Sequence, residues 1–262
     1  MSKVYLVGAG PGDPELLTVR AHKLLCTADV ILYDDLVSPE ILQLAAPDAL
    51  VINVGKRCGE KHVTQEQIHA LMIAFASRGK LTVRLKSGDP LLFGRASEEM
   101  EALESAHVEF EVVPGVTAAL AAAATARVSL TDRRCASSVV FTTGHHAASK
   151  GKPDWRRLAR PDATLAIYMP GSDYASLGMD LLAAGLSANT PCLIISRIAS
   201  PEQRSYATTL GKLSGQRILP APALLLVGHV AGRKQSAPHP AQARIPLHEE
   251  PVLPAYAARE TA

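Results

Sequence analysis

The first half of the chain alternates short apolar runs with segments whose apolar residues recur at helical spacing. Short continuous apolar runs bounded by turn residues are typical of strands that are buried on both faces of a parallel sheet. The runs are residues 4–7, 30–33, 50–54, 81–85 and 108–113. This alternation predicts a mostly parallel α/β domain over residues 1–133.

One helix of this domain carries start and stop signals. Thr64 and Gln67 have the spacing of a capping box, in which each side chain accepts a hydrogen bond from the other residue's backbone. Gly79 stands where a glycine commonly ends a helix. We therefore predict a helix between them, with an apolar face made of Ile68, Leu71, Met72 and Phe75.

A second unit begins near Ser137 and has fewer helical segments. Two stretches, around 155–159 and 174–184, have the helical pattern. Because neighbouring strand candidates near Ser200 are joined by a short turn, we expect a mixed sheet in a domain over 134–233. The strand candidates are residues 139–143, 165–169, 193–196, 204–208 and 224–227. Residues 234–262 are rich in Pro and Ala without apolar periodicity, which predicts a flexible tail.

Composition narrows the function classes. The 262 residues are 47% hydrophobic with a net charge of +2, so we expect a globular protein that does not bind nucleic acid. No apolar run is long enough to span a bilayer, and the N-terminus lacks a secretory signal pattern, so a cytoplasmic location is expected. The four cysteines form no CxxC pair, and His145 and His146 have no third ligand at metal spacing, so no metal is expected.

A glycine-rich loop, residues 8–14 (GAGPGDP), directly follows the first predicted strand. It begins like a dinucleotide-binding fingerprint, but Asp13 stands where that motif requires its third glycine. Pro11 and Pro14 also remove N–H donors that a pyrophosphate would use. A nicotinamide dehydrogenase is therefore a minor alternative, and a purely structural turn is another.

Two further loops of the same kind favour a binding site. Residues 86–90 (KSGDP) follow the fourth predicted strand, and residues 113–118 (VPGVTA) follow the fifth. In a parallel sheet such loops lie at the carboxyl ends of strands, where open α/β folds bind ligands. Three of them at one sheet edge predict a pocket.

The loops and several other motifs resemble those of the tetrapyrrole methylase family. The matches run in order through the chain up to Arg233. They are GAGPGDPELLT (8–18), LYDDLV (32–37), GKR (55–57), RLKSGDPLLFGR (84–95), VVPGVT (112–117), LT (130–131) with Arg133, TGH (143–145), YM (168–169) and PEQR (201–204).

This resemblance implies two α/β domains with the active site in the cleft between them, S-adenosylmethionine bound there in a folded conformation, and a homodimer. S-adenosylhomocysteine would be the by-product. The family pattern places the following residues against the cofactor: Pro11, Ser87, Gly88, Asp89, Leu92, Thr117, Ala118, Met169, Ile198 and Ala223. From the residues alone, Asp89 could instead be a turn cap before Pro90, and Met169 could be an ordinary core residue.

Within the family, the motifs are most similar to those of members that methylate uroporphyrinogen III at two adjacent pyrrole rings to give precorrin-2. The resemblance places Arg95 and Glu98 near the reacting macrocycle and implies that Arg133 binds the substrate carboxylates. Asp34 is a further catalytic candidate. Because arginine stays protonated, an electrostatic role suits Arg95 better than that of a base. Arg95 and Glu98 could also simply pair at i,i+3 on a helix face, and Asp34 could be a cap.

Several positions depart from the family pattern. Glycines are expected at Ser87, at Ala96 and Ser97, at Arg127 and at Pro170, and a histidine is expected at Asp132. A left-handed backbone at Ser87 would cost of order 1 kcal/mol without glycine. These departures keep two alternatives open, namely a methylase of another precorrin and a non-catalytic protein that binds tetrapyrrole or cofactor.

Overall fold

The computed structural model describes residues 2–55, 63–144, 153–216 and 218–232. Several residues of the sequence analysis fall outside these ranges. They are Lys56 and Arg57 of the GKR motif, His145 and His146, Cys58, and the tail at 234–262 that is predicted to be flexible.

The first half of the chain forms a five-stranded sheet in the order β3-β2-β4-β1-β5. All four strand pairs are parallel. The carboxyl ends of the strands, and the loops that follow them, therefore lie along one edge. The strands are β1 (Val4–Gly8), β2 (Val30–Tyr33), β3 (Leu50–Asn53), β4 (Thr82–Lys86) and β5 (Phe110–Val113).

Five helices follow these strands. They are α1 (Val19–Leu25), α2 (Pro39–Leu42), α3 (Gln65–Ser77), α4 (Ala96–Ser105) and α5 (Ala118–Thr125). The predicted capping box at α3 is confirmed: the Thr64 hydroxyl accepts from Gln67 N–H, and the Gln67 side chain accepts from Thr64 N–H. Gly79 follows the helix with a φ of +75°, as expected for a glycine after a C-terminal cap.

The second half forms a mixed sheet in the order β6-β7-β10-β8-β9, which confirms the prediction. Among its described strand pairs only β6–β7 is parallel, and the turn near Ser200 joins the antiparallel strands β8 and β9. The strands are β6 (Ser138–Thr143), β7 (Ala163–Tyr168), β8 (Pro191–Ser196), β9 (Arg204–Thr209) and β10 (Ala223–Val227), with helices α6 (Trp155–Leu158) and α7 (Tyr174–Ala183).

Helix α5 connects the two halves. Its alanines, among them Ala119 and Ala122, pack against Leu193, Leu224 and Leu226 of the second sheet in one hydrophobic cluster. Small side chains allow the helix to approach the sheet closely. The division of the chain at residue 133 stays a prediction, and α5 belongs to the first half but packs on the second.

The prediction that all five apolar runs are buried on both faces was wrong for β3. This strand is at the edge of the first sheet, and Leu50 and Val51 are 50% and 39% exposed. An apolar run indicates a strand, but it does not reveal whether another strand or helix covers it. Among the described residues, no helix is both long and apolar enough to cross a membrane.

Candidate active site

The three glycine loops meet at the carboxyl edge of the first sheet. Gly10 and Gly88 exchange backbone hydrogen bonds of 3.1 and 2.7 Å, which tie the first loop to the second. A Cβ on Gly8 would lie 2.6 Å from the Cα of Gly115 and 2.7 Å from the carbonyl oxygen of Gly88. The three backbones are therefore in van der Waals contact, at distances that only glycine permits.

Asp89 connects the second loop to the third. Its Oδ1 accepts from the Leu91 N–H at 2.9 Å, and its Oδ2 accepts from the Gly115 N–H at 3.0 Å. The first contact is the turn cap considered in the sequence analysis. The second is a cross-loop bond, so one carboxylate fixes the relative position of the two loops.

The loops of the second sheet approach the same glycine edge. A Cβ on Gly12 would lie 3.9 Å from the carbonyl oxygens of both Ile198 and Ala199. Ile198 is buried in the cluster around α5, and Ala223 pairs with Ser196 beside it. The first loop, which contains Pro11, therefore faces the loop between β8 and β9.

Tyr168, at the end of β7, reaches the third loop. Its hydroxyl lies 2.6 Å from the Thr117 hydroxyl and accepts from the Ala119 N–H at 3.1 Å. Burial raises the pKa of Tyr168, so the phenol stays protonated at neutral pH. Tyr168 belongs to the YM motif (168–169), but sequence reasoning assigned no role to its side chain.

Tyr168 also belongs to a group of aromatic rings. The Phe93 ring lies 5.0 Å from it, and the Phe141 ring lies 6.2 Å from it in an edge-on arrangement. Phe93 and Phe141 are about 40% exposed, and the neighbouring Met169 is 47% exposed. Together these side chains form a partly exposed apolar surface that could contact a flat ligand.

Residues with a left-handed backbone surround this region. Non-glycine residues rarely adopt a positive φ, and such residues cluster at functional sites. Here they flank the loops of both sheets: Phe93, Arg95, Met169, Arg197 and Ala199.

Ser87 is not among them, so the strain considered for this position is absent; the positive φ in that loop belongs to Gly88. Arg127 is the departure from the family pattern that does adopt a left-handed conformation, with a φ of +53°.

The cofactor candidates fall into two groups. Pro11, Ser87, Gly88, Asp89, Leu92, Thr117 and Ala118 lie on the three joined loops, where a Cβ on Gly88 would be 3.9 Å from the Thr117 Cα. Met169, Ile198 and Ala223 lie at the ends of β7, β8 and β10. Their contact with a cofactor stays a prediction.

Arg95 and Glu98 pair with each other. The Arg95 guanidinium donates to both carboxylate oxygens of Glu98, at 2.7 and 2.6 Å. This is the i,i+3 pair that the sequence analysis gave as the alternative, and its hydrogen bonds raise the pKa of Arg95. Both side chains are nearly half exposed, so the pair remains accessible to a ligand.

Arg133 lies in the turn between Asp132 and Ala136, which form an isolated antiparallel bridge. Its side chain is exposed and has no carboxylate partner within the described part of the chain. The adjacent Arg134 instead pairs with Asp132 at 2.9 Å. Arg133 is therefore open to an external carboxylate, whereas no contact joins it to Arg95, Glu98 or Asp34 in the described regions.

Asp34 lies above a buried cluster of charges that the sequence analysis did not identify. Its carboxylate accepts from Arg84, and Lys86 Nζ lies 3.8 Å from its other oxygen. Glu99 Oε1 accepts from Arg84 at 3.0 Å, from Lys86 at 2.9 Å and from Gln65 at 3.2 Å. The signal available in the sequence was the pair of charged residues at alternate positions of β4, Arg84 and Lys86.

Burial governs the electrostatics of this cluster. Arg84 and Lys86 are each 2% exposed, and Glu99 is fully buried. Desolvation lowers the pKa of Lys86, and the positive charge of Arg84 lowers it further, against the opposing effect of Glu99 and Asp34. Within the described residues no group of His, Cys, Asp and Glu has the geometry of a metal site.

Comparison with known proteins identifies the family of the chain. A model of tetrapyrrole (corrin/porphyrin) methylases matches residues 3–214. Siroheme synthase 1 of Yersinia enterocolitica is 47% identical over 229 residues, which are 87% of this chain. The match covers 48% of that protein, so the chain spans about half the length of this curated relative.

Solved structures extend the comparison to the fold. A uroporphyrin-III C-methyl transferase from Thermus thermophilus, complexed with S-adenyl homocysteine, is 39% identical with a TM-score of 0.76; the match covers 87% of this chain and 98% of that one. A cobalt precorrin-4 methyltransferase is 32% identical with a TM-score of 0.77, covering 87% and 95% of the two chains. On sequence and fold together, the chain belongs to the tetrapyrrole methylase family.

Proposed function

We propose that this chain transfers methyl groups from S-adenosylmethionine to two adjacent pyrrole carbons of uroporphyrinogen III, giving precorrin-2. The observation that carries the proposal is the junction of the three glycine loops, which faces the loop ends of the second sheet. Similarity to a uroporphyrin-III C-methyl transferase that holds S-adenyl homocysteine supports the choice of cofactor and substrate.

The residues at the junction fit the cofactor. Close backbone contact among Gly8, Gly88 and Gly115 leaves a surface without side chains, against which an adenosine and an amino acid group can lie. The Thr117 hydroxyl is a polar group beside the junction, and Met169 offers an apolar one. When bound, S-adenosylmethionine supplies a methyl group on a positively charged sulfur.

The chain's own task is to orient the macrocycle and to handle charge and protons. A pyrrole ring of a porphyrinogen is already a carbon nucleophile, so no covalent protein intermediate is needed, and the rate gain comes from positioning and desolvation. Arg133 and the Arg95–Glu98 pair are exposed charges suited to the substrate's carboxylates, because arginine binds carboxylates bidentately. Asp34 is the candidate acceptor for the proton that the macrocycle loses.

Calorimetry tests the cofactor site. Titration of the wild-type protein with S-adenosylhomocysteine should show one site per chain. Gly115→Ala should abolish binding, because its Cβ would meet the Gly88 carbonyl oxygen. Gly215→Ala is the matched control, since a Cβ there meets nothing within 4 Å. Binding that survives Gly115→Ala unchanged would contradict the proposed position of the cofactor.

Substrate discrimination tests the carboxylate contacts. Methyl transfer to uroporphyrinogen III should exceed transfer to coproporphyrinogen III, in which methyl groups replace the acetate side chains. Arg133→Met should reduce that preference, since it removes a cation without a described partner. Equal activity of the wild-type protein on both substrates would favour a methylase of a different macrocycle.

Two subsidiary proposals come from the family and from the cysteines. A homodimer is proposed from the family resemblance, and light scattering on the purified chain tests it. A cytoplasmic location is also proposed, because Cys26, Cys135 and Cys192 are all free thiols.

A further inference from the structure

The buried charges next to Asp34 are balanced only when Asp34 is included. Arg84 and Lys86 bring two positive charges, and Glu99 brings one negative charge, all of them at least 98% buried. The Asp34 side chain is 30% exposed and contacts both cations from the cleft side. With Asp34 ionised the four charges sum to zero. With Asp34 protonated, one positive charge is left uncompensated in a desolvated site.

The surrounding chain keeps this cluster closed to water. A Cβ on Gly94 would lie 3.2 Å from Lys86 Cε, so the loop after β4 packs directly over the lysine side chain. On the other side Gln65 of α3 donates to Glu99. An uncompensated charge in such a place costs considerably more than one at the surface.

We propose that Arg84, Lys86 and Glu99 are positioning residues for Asp34, an inference that rests on the proposed methyl transfer. They aim its carboxylate at the cleft, and they drive it back to the ionised form after each proton that it accepts.

The methyl–sulfur bond breaks with its electron pair going to sulfur, and a bond forms between the methyl group and the ring carbon. The macrocycle then loses a proton to Asp34, which passes it to water. Because the proposed reaction occurs twice, the base has to be restored between the two transfers.

The other charged or polar neighbours define the controls. Asp35 follows Asp34 in the chain and accepts from Asn53 of β3. Gln65 is neutral, and Glu99 of α4 is the charged group that contacts Arg84 and Lys86. Asp35→Asn therefore removes the same charge as Asp34→Asn, one residue away.

The first test reads the coupling without any activity. In protein labelled with ¹³C at the lysine ε-carbon, the Lys86 signal is assigned by its loss in Lys86→Met and then titrated. Asp34→Asn should lower the pKa of Lys86 further, because it removes an opposite charge 3.8 Å away. Since coupling between two sites is reciprocal, this shift also measures the effect of Lys86 on Asp34.

Asp35→Asn should give a clearly smaller shift. An unchanged Lys86 titration in Asp34→Asn, or equal shifts in the two variants, would overturn the inference. Asp34 is partly exposed, so its variant is expected to fold, and circular dichroism checks this.

The second test uses the pH profile of methyl transfer. Lys86→Met should move the acid-side midpoint to higher pH, since it removes a cation that stabilises the ionised carboxylate. Glu99→Gln should move the midpoint to lower pH, since the substitution removes an anion and leaves Asp34 as the partner of both cations. Losses of activity without any movement of the midpoint would show a merely structural role and overturn the proposal.

The two experiments separate the inference from the proposed function. Absence of methyl transfer by the wild-type protein would contradict the function, and the Lys86 titration would still decide whether the cluster controls Asp34.

Discussion

The hydroxyl oxygens of Tyr168 and Thr117 lie 2.6 Å apart, and this hydrogen bond joins the second sheet to the loop that precedes α5. The same phenol accepts from the Ala119 N–H, so one side chain caps the helix and links the two halves of the chain. Its ring contacts Phe93, which lies in the loop after β4. Tyr168 therefore connects the proposed cofactor loop with the apolar surface beside it.

Tyr168→Phe should weaken both stability and cofactor binding. The substitution leaves the buried Thr117 hydroxyl and the Ala119 N–H without this partner, so unfolding by urea should show a loss of about 1–3 kcal/mol. S-adenosylhomocysteine should bind more weakly in calorimetry. Tyr206→Phe is the control, because Tyr206 is half exposed on β9 and should change neither quantity. Wild-type affinity in Tyr168→Phe would contradict the linking role.

Asp89→Asn should separate the second and third loops. An amide offers one acceptor oxygen instead of two, so either the Leu91 or the Gly115 N–H loses its bond. We expect a destabilisation of about 1–2 kcal/mol, with a roughly tenfold weaker affinity for S-adenosylhomocysteine. Asp13→Asn is the matched control, because among the described residues the Asp13 side chain accepts from Glu15 alone and an amide oxygen can do the same. Equal behaviour of the two variants would argue against the cross-loop bond.

Arg127→Gly should stabilise the protein. Arg127 follows the last turn of α5 in a left-handed conformation, where its N–H bonds to Ala124 and the next N–H bonds to Ala123. This is the position at which helices usually carry glycine, and a Cβ there costs of order 1 kcal/mol. A urea midpoint shifted upward in Arg127→Gly but not in Arg127→Ala would assign the gain to the backbone. A loss of stability in the glycine variant would contradict it.

Arg95→Lys should slow methyl transfer while leaving the fold intact. Lysine cannot reproduce the two parallel hydrogen bonds to Glu98, and the pair is exposed enough for its loss to cost less than about 0.5 kcal/mol of stability. We expect activity lower by a factor of about ten or more, because the role of Arg95 is electrostatic. Arg157→Lys disturbs a similar exposed i,i+3 pair with Asp154 and should be fully active. Wild-type rates in Arg95→Lys would leave the pair as a surface ion pair only.

Cys192 predicts how stability depends on alkaline pH. Burial raises the pKa of its thiol from 9.0 to about 12, so the folded state holds the proton that the unfolded chain releases above pH 9. The thiol therefore favours folding fully below pH 9, and this contribution is lost as the pH rises towards 12. The stability advantage of the wild type over Cys192→Ala should be roughly 1 kcal/mol smaller at pH 10 than at pH 8. A difference that does not change with pH would contradict the assignment.

The sequence predicted the elements well because they depend on local signals. Strand β2 and the capping box at Thr64 agree with the pattern, since apolar runs and capping residues act within a few positions. The exposure of β3 was missed because burial depends on what the rest of the chain places beside a strand. Asp34, Arg95 and Glu98 were identified as site candidates from the family motifs and not from local patterns.

The ion cluster around Glu99 was not predicted, although Arg84 and Lys86 are visible as charges in an apolar strand. Their common partner lies on α4, and only the packing of that helix against the sheet brings Glu99 within 3.0 Å of both. Similarly, nothing local to Tyr168 reveals its bond to Thr117, which is 51 residues away.

The mass of the product formed anaerobically from uroporphyrinogen III and S-adenosylmethionine tests the central claim most directly. We expect a macrocycle heavier by two CH2 units, because each added methyl group is offset by one lost proton, and an intermediate heavier by one CH2 unit. One S-adenosylhomocysteine should form for each methyl group transferred. An unmodified macrocycle after incubation with protein that binds S-adenosylhomocysteine would contradict the claim.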